Sequence, residues 1–194
     1  WRSWNKGDNW ERISSFPSAM VASIAMAGNG DLYFGTGTQF DGVSGVGGSG
    51  FRGDGIYRST DNGTTWTRVE GTDPGLFQGG DFSATDALVA DPNVANRVWY
   101  GGIQGVGYIE NGVLTQNTLS GISGTTGVQD IEIAYDGSYM LVSTTNGRVY
   151  RSNDFASTET VSGSPNAPAI PQGFGRCRVA ISPDDPSSAF ALLA

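Results

Sequence analysis

The sequence predicts an all-β chain of repeated four-stranded antiparallel blades, the unit of a β-propeller. Three observations predict it. A tight turn pattern, Ser-x-Asp-x-Gly-x-x-Trp, recurs along the chain; strand-like runs come in sets of four; and no segment shows a helical period.

The turn pattern is complete in "RSTDNGTTWTRVEG", residues 58–71. Asn62-Gly63 supplies the two residues that tolerate positive φ, as a tight hairpin needs. Asp61 and Ser59 can accept backbone N–H groups of the turn, as Asx-turns do. Trp66 can fold its ring over the hairpin base. A carboxylate at Asp61 could also be a metal ligand or an acid, but a turn brace explains it without either. A second copy opens the chain: "SWNKGDNW" sets Ser3, Asn5, Gly7 and Trp10 at the same offsets, with Asn in place of Asp. A third is decayed: "RVYRSNDFAST" keeps Ser152 and Asp154, but Ala156 and Glu159 replace the glycine and the tryptophan. Ser3 to Ser59 is 56 residues, and Ser59 to Ser152 is 93, two steps of about 46, a propeller repeat. The copy expected between them survives only as the Asn111-Gly112 turn.

The strand-like runs follow in order. The first set is 20–26, 31–36, 55–60 and 65–70; the second is 85–91, 97–102, 105–110 and 113–118. The third is 129–135, 139–144, 147–152 and a weak return near 158–162, and a fourth opens with 176–182 and 189–194. Residues 1–194 therefore read as part of one propeller domain, with blades at about 1–19 (partial), 20–83, 84–127, 128–175 and 176–194 (partial). Three whole blades and two partial ones are fewer than close a propeller, which predicts a piece of a longer protein.

Composition agrees with a turn-rich folded chain: 30 glycines in 194 residues, 15% charged and 11% aromatic. A formal net charge of −8 argues against nucleic acid as a partner. No apolar run approaches the roughly 20 residues of a membrane span. Cys177, the one cysteine, reads as a buried thiol. The chain has no histidine, which removes a Ser-His-Asp triad and the usual zinc sites, and nothing calls for a metal or a cofactor.

The turn pattern resembles the Asp-box, or BNR repeat, of sialidases, sortilin-type receptors and xyloglucan-degrading hydrolases. "LYFGTGTQFDG" with "GDGIYRSTDNGTTW" is similar to blades of large secreted bacterial BNR-repeat proteins, many of which carry a type IX secretion sorting domain. The resemblance implies a β-propeller, secretion to the medium or the cell surface, and partners among glycans, surface proteins or components of a bacterial secretion system. It also implies that the Asp-box end is structural and that ligands bind at the other end. Gln39 stands where the pattern often has Glu, and the sialidase arginine triad and nucleophilic tyrosine have no counterparts here.

At that other end one loop is unusual. The loop between the second and third strands is "TNG" in the third blade but swells to residues 37–54 in the first, with seven glycines. It brings Gln39, Phe40, Asp41, Phe51, Arg52 and Asp54, and the following link adds Phe77, Asp81 and Phe82. Phenylalanines beside polar groups suit a sugar chain or a peptide; equally, they can pin the loops to neighbouring blades. Asp86 and Asp130 head innermost strands, where carboxylates near Arg176 or Arg178 could serve glycoside hydrolysis. Polar residues also line propeller channels without catalysing anything. The reading is an extracellular binding or adhesion module, with a secreted glycoside hydrolase as the alternative.

Overall fold

The computed structural model describes residues 1–13, 16–17, 20–39, 51–74, 82–116, 118–124, 126–161 and 176–193. Among them there are strands and turns and no helix. The first sheet holds β1 (Val21–Met26), β2 (Leu32–Thr36), β3 (Ile56–Ser59) and β4 (Thr67–Arg68). The second holds β5 (Ala87–Ala90), β6 (Arg97–Gly102), β7 (Gly105–Glu110) and β8 (Val113–Gln116). The third holds β9 (Val128–Ile133), β10 (Met140–Thr144), β11 (Val149–Ser152) and β12 (Glu159–Thr160), and β13 (Cys177–Ile181) pairs with β14 (Ala189–Leu193). Each four-stranded sheet is an antiparallel meander in chain order.

The sheets stack face to face, and alternation along the strands explains why. In β10 Met140 and Val142 point into the core shared with the second sheet, while Leu141 points into the core shared with β13. A strand buried on both faces is apolar at successive positions, not at every second one. The core between the first two sheets gathers Tyr33, Ile56, Val98, Tyr100 and Ile109. The next is built on Trp99, wholly buried, whose indole N–H donates to Asp91 Oδ2 at 2.9 Å. The Trp99 ring meets Tyr108 edge-on at 5.3 Å and Phe155 at 5.9 Å. An aromatic of this size removes about 150–250 Å² from water, so it dominates its core.

The N-terminal turn sits against the first sheet. Arg2 and Glu11 form an antiparallel bridge, and Phe16 packs edge-on against Phe34 at 4.8 Å and Trp66 at 5.6 Å. Antiparallel order fixes the two ends of the stack. The β3–β4, β7–β8 and β11–β12 turns lie at one end. The β2–β3, β6–β7 and β10–β11 turns lie at the other, with the links between sheets.

Candidate functional site

The turn end is closed on itself. In the turn after β3 the Ser59 hydroxyl donates to Asp61 Oδ1 at 2.8 Å and accepts from Gly63 N–H at 2.8 Å. Asp61 Oδ1 also accepts Thr65 N–H at 2.8 Å, and Oδ2 accepts the Thr65 hydroxyl at 2.7 Å. Trp66 donates its indole N–H to the Gly63 carbonyl at 3.1 Å and stacks on Phe34 at 4.3 Å. Asn62 and Gly63 have φ of 56° and 81°, the left-handed conformation that Asn and Gly accept at low cost. The N-terminal turn repeats this net except for the bond to the second carboxylate oxygen. Ser3 donates to Asn5 Oδ1 and accepts Gly7 N–H, Asn5 Oδ1 accepts Asn9 N–H, and Trp10 donates to the Gly7 carbonyl. In the third turn Ser152 still donates to Asp154, but Asp154 Oδ1 takes the N–H groups of Ala156 and Ser157, so the turn closes one residue early.

Those bonds shift the acids. The Thr65 backbone N–H, then the Thr65 and Ser59 hydroxyls, bring Asp61 down to about 2. The Ser157 hydroxyl and N–H hold Asp154 well below the usual carboxylate range. Acids held this firmly ionised are poor proton donors, which fits a brace for the turn.

The opposite end is built differently. The feet of the long loop are tied down by backbone bonds from Gly37 N–H to the Met20 carbonyl, Gly53 N–H to the Ser83 carbonyl and Thr38 N–H to the Phe51 carbonyl. Beneath them lies Asp86, only 8% exposed. Its Oδ1 accepts the Thr38 hydroxyl at 2.7 Å and the Gln39 N–H at 3.3 Å, and its Oδ2 accepts the Gln39 amide at 2.7 Å. The same amide donates to the Val128 carbonyl of the third sheet at 3.2 Å. Asp86 is thus a strut that holds the loop foot across two blades.

Beside it is a cavity of about 100 Å³ lined by Thr38, Asp86, Gln129, Arg176 and Arg178. Arg178 donates to the Gln129 carbonyl at 2.8 Å and lies 3.5 Å from Asp130. Asp130 Oδ2 accepts Val179 N–H at 3.0 Å, which ties the third sheet to β13. Cys177 N–H donates to the Gln129 side-chain carbonyl, and the Cys177 thiol is buried and raised by that burial. Two arginines, a glutamine, a threonine and the Asp86 carboxylate therefore surround a small polar recess.

The other sequence candidates separate. Phe51 is 54% exposed at the loop foot, and Arg52 is exposed beside it. Asp54 turns back onto the fold: its Oδ2 accepts the Tyr57 hydroxyl at 2.9 Å and its N–H donates to Thr36 Oγ1 at 2.9 Å. Phe82 corrects the expectation of a ligand contact. It is 1% exposed and packs on Tyr100 at 5.3 Å, a core residue that pins the link. Phe40, Asp41, Phe77 and Asp81 lie outside the described residues.

Two residues of the structure were missed from the sequence. Gln104, in the β6–β7 turn, is buried; its amide reaches the Thr85 hydroxyl at 3.4 Å, and its Oε1 has no hydrogen-bond partner among the described residues. Glu132 is half-buried on β9, two residues beyond Asp130 and therefore on the same face of the strand. Burial, and then the Asp130 charge, raises its carboxyl above the ordinary glutamate value. Period-two spacing from Asp130 is the signal that could have found it.

No protein-family model matches the chain, and no curated protein matches it. Solved structures do. A GH74 enzyme from Niastella koreensis superposes with a TM-score of 0.58 at 18% identity, over 86% of this chain and 24% of that one. YCF48 bound to a D1 peptide superposes with a TM-score of 0.59 at 11% identity, over 96% of this chain and 52% of that one. An auxiliary nutrient binding protein from Bacteroides ovatus gives 0.52 at 12% identity, over 84% of this chain and 38% of that one. The fold is that of a β-propeller. The chain spans between about a quarter and a half of these three relatives' length. At these identities the likeness speaks for the fold alone.

Proposed function

We propose that the loop end of this propeller is a recognition surface, and that the chain belongs to a secreted or cell-surface bacterial protein that binds a glycan or a surface protein. The observation that carries this is Asp86. Both of its oxygens accept from Thr38 and Gln39, so the acid positions the long loop at the edge of the recess it helps to line. At this end Phe51 is exposed at the loop foot, and Arg176 and Arg178 line the polar recess. An apolar plate beside fixed polar donors suits a ligand with both kinds of face, such as a sugar chain. The Ser-x-Asp-x-Gly-x-x-Trp turns are, in this reading, Asp-boxes of the BNR and sortilin-like kind. Export by a type IX route, and contact with components of that system, follow from the same resemblance. The solved likenesses, which include a nutrient binding protein and a protein bound to a peptide, support ligand handling by this architecture.

The test is a polysaccharide panel incubated with the intact protein. Retention on one glycan without release of reducing ends is the expected result. One observation favours the alternative, a glycoside hydrolase: Glu132, with a raised carboxyl, stands on one strand face with Asp130. That arrangement sets the backbone positions of two carboxylates about 7 Å apart on one strand face, and glycoside hydrolysis uses such a pair of carboxylates. Hydrolysis by the wild type that Glu132→Gln abolishes, with the melting temperature unchanged, would replace the binding reading with the enzymatic one.

A further inference from the structure

The N-terminal turn, on the scaffold end, carries a side-chain arrangement that its repeats lack. Trp4 is 68% exposed, and its indole N–H donates to Glu11 Oε1 at 2.8 Å. The same oxygen accepts Arg2 Nε at 2.5 Å, and the Arg2 guanidinium lies 5.0 Å from the Trp4 ring centre. Arg2 in turn donates to the Asn62 carbonyl at 2.9 Å, which anchors the group to the first sheet. An exposed indole that is hydrogen-bonded at its edge and backed by a cation is a fixed plate, not a free rotor.

Its exposure belongs to the position. Trp1 and Trp10 are exposed too, but their counterparts Tyr57 and Trp66 are buried and half-buried in a sheet with neighbours on both sides. Those two therefore say nothing about free surface. The counterparts of Trp4 are Thr60 and Asn153, and both are exposed within sheets that have neighbours. The counterpart of Glu11 is Thr67, also exposed. Only at the first turn does this outward position hold a large aromatic.

We infer that Trp4, Glu11 and Arg2 form a second glycan subsite, at the end of the propeller opposite the recess. The negative face of an indole attracts the C–H hydrogens of a flat pyranose ring, and the carboxylate beside it accepts from ring hydroxyls. A pyranose with all substituents equatorial offers the flattest such face, so the ligand class is an extended β-linked glucan-type chain. A folded protein partner would need a broader apolar surface than one plate with two charges at its rim. This inference shares the glycan class with the proposed function but uses none of its residues.

The experiment is a titration of the intact protein with cellohexaose, followed by the indole N–H resonances, with maltohexaose as the curved control. Assignment comes from Trp4→Phe. The Trp4 signal should move with cellohexaose and less with maltohexaose, and Trp4→Ala should weaken that binding about tenfold without changing the melting temperature. Glu11→Gln should weaken it less. A Trp4 signal that stays still with both sugars overturns the subsite. So does equal binding by wild type and Trp4→Ala. Retention at the recess is unaffected by any of these variants, so failure there and failure here are separate results.

Discussion

The two ends of the blades solve opposite problems. At the turn end the bonds of the Ser-Asp-Gly net close within four residues: Ser59 to Asp61, Gly63 to Ser59, Thr65 to Asp61. The same net recurs at Ser3 with asparagine in place of the acid. At the loop end the deciding bonds join residues 47 and 89 apart, Gln39 to Asp86 and Gln39 to Val128. The first end repeats because a local net can be copied with the repeat. The second is unique because its partners come from different blades. Repetition therefore marks scaffold here, and the place where repetition fails marks the surface free to specialise.

Removing a long-range strut should break that contrast most strongly. Asp86→Ala leaves the Thr38 hydroxyl and the Gln39 amide without their buried acceptor. A loss of about 3 kcal/mol is expected, from several donors stranded together. Denaturant unfolding should show a lower midpoint with an unchanged slope. An unshifted midpoint would mean that the loop foot is held by its backbone bonds alone.

A smaller and pH-dependent effect should follow at the local net. Asn5 accepts the same Ser and backbone donors as Asp61, so Asp61→Asn keeps the geometry. Asp61 is held near 2 in the fold against an ordinary 3.8, with the Thr65 N–H as the first cause. A depressed carboxyl adds stability that is present above its unfolded value and disappears as pH falls through its folded value. The wild type should therefore melt above Asp61→Asn at neutral pH, and the gap should close between about pH 4 and pH 2. A gap that is constant with pH would show that the acid's charge plays no part in the turn.

The same contrast explains what was legible in the sequence. The pattern around Ser59 contains both partners of the net among Ser59, Asp61, Gly63 and Thr65, so the turn, the blade and the propeller could all be read from it. Strand periodicity located the sheets for the same reason. The loop end could not be read so far, because nothing near Gln39 in sequence announces Asp86 or Val128. Phe82 shows the limit: in a link rich in glycine, the sequence does not say whether a ring faces a ligand or Tyr100. Glu132 was hidden because a carboxylate within a half-buried strand looks like any solvent-facing residue until its neighbours are placed.

The smallest effect on stability should come with a large effect on binding, at Phe51. The ring is 54% exposed and stands at the foot of the long loop, where the Phe51 carbonyl accepts Thr38 N–H. That bond belongs to the backbone and survives truncation of the side chain. Phe51→Ala therefore removes exposed apolar surface and little else, and surface changes of that kind fall within about 0.5 kcal/mol. The melting temperature should stay where it is. If the loop end is the recognition surface, retention on the glycan found in the panel should fall, because Phe51 is the exposed apolar ring at the foot of that loop. Binding lost together with stability would make Phe51 a packing residue like Phe82. Full retention with full stability would remove Phe51 from the surface and leave recognition to the guanidinium groups and the polar recess.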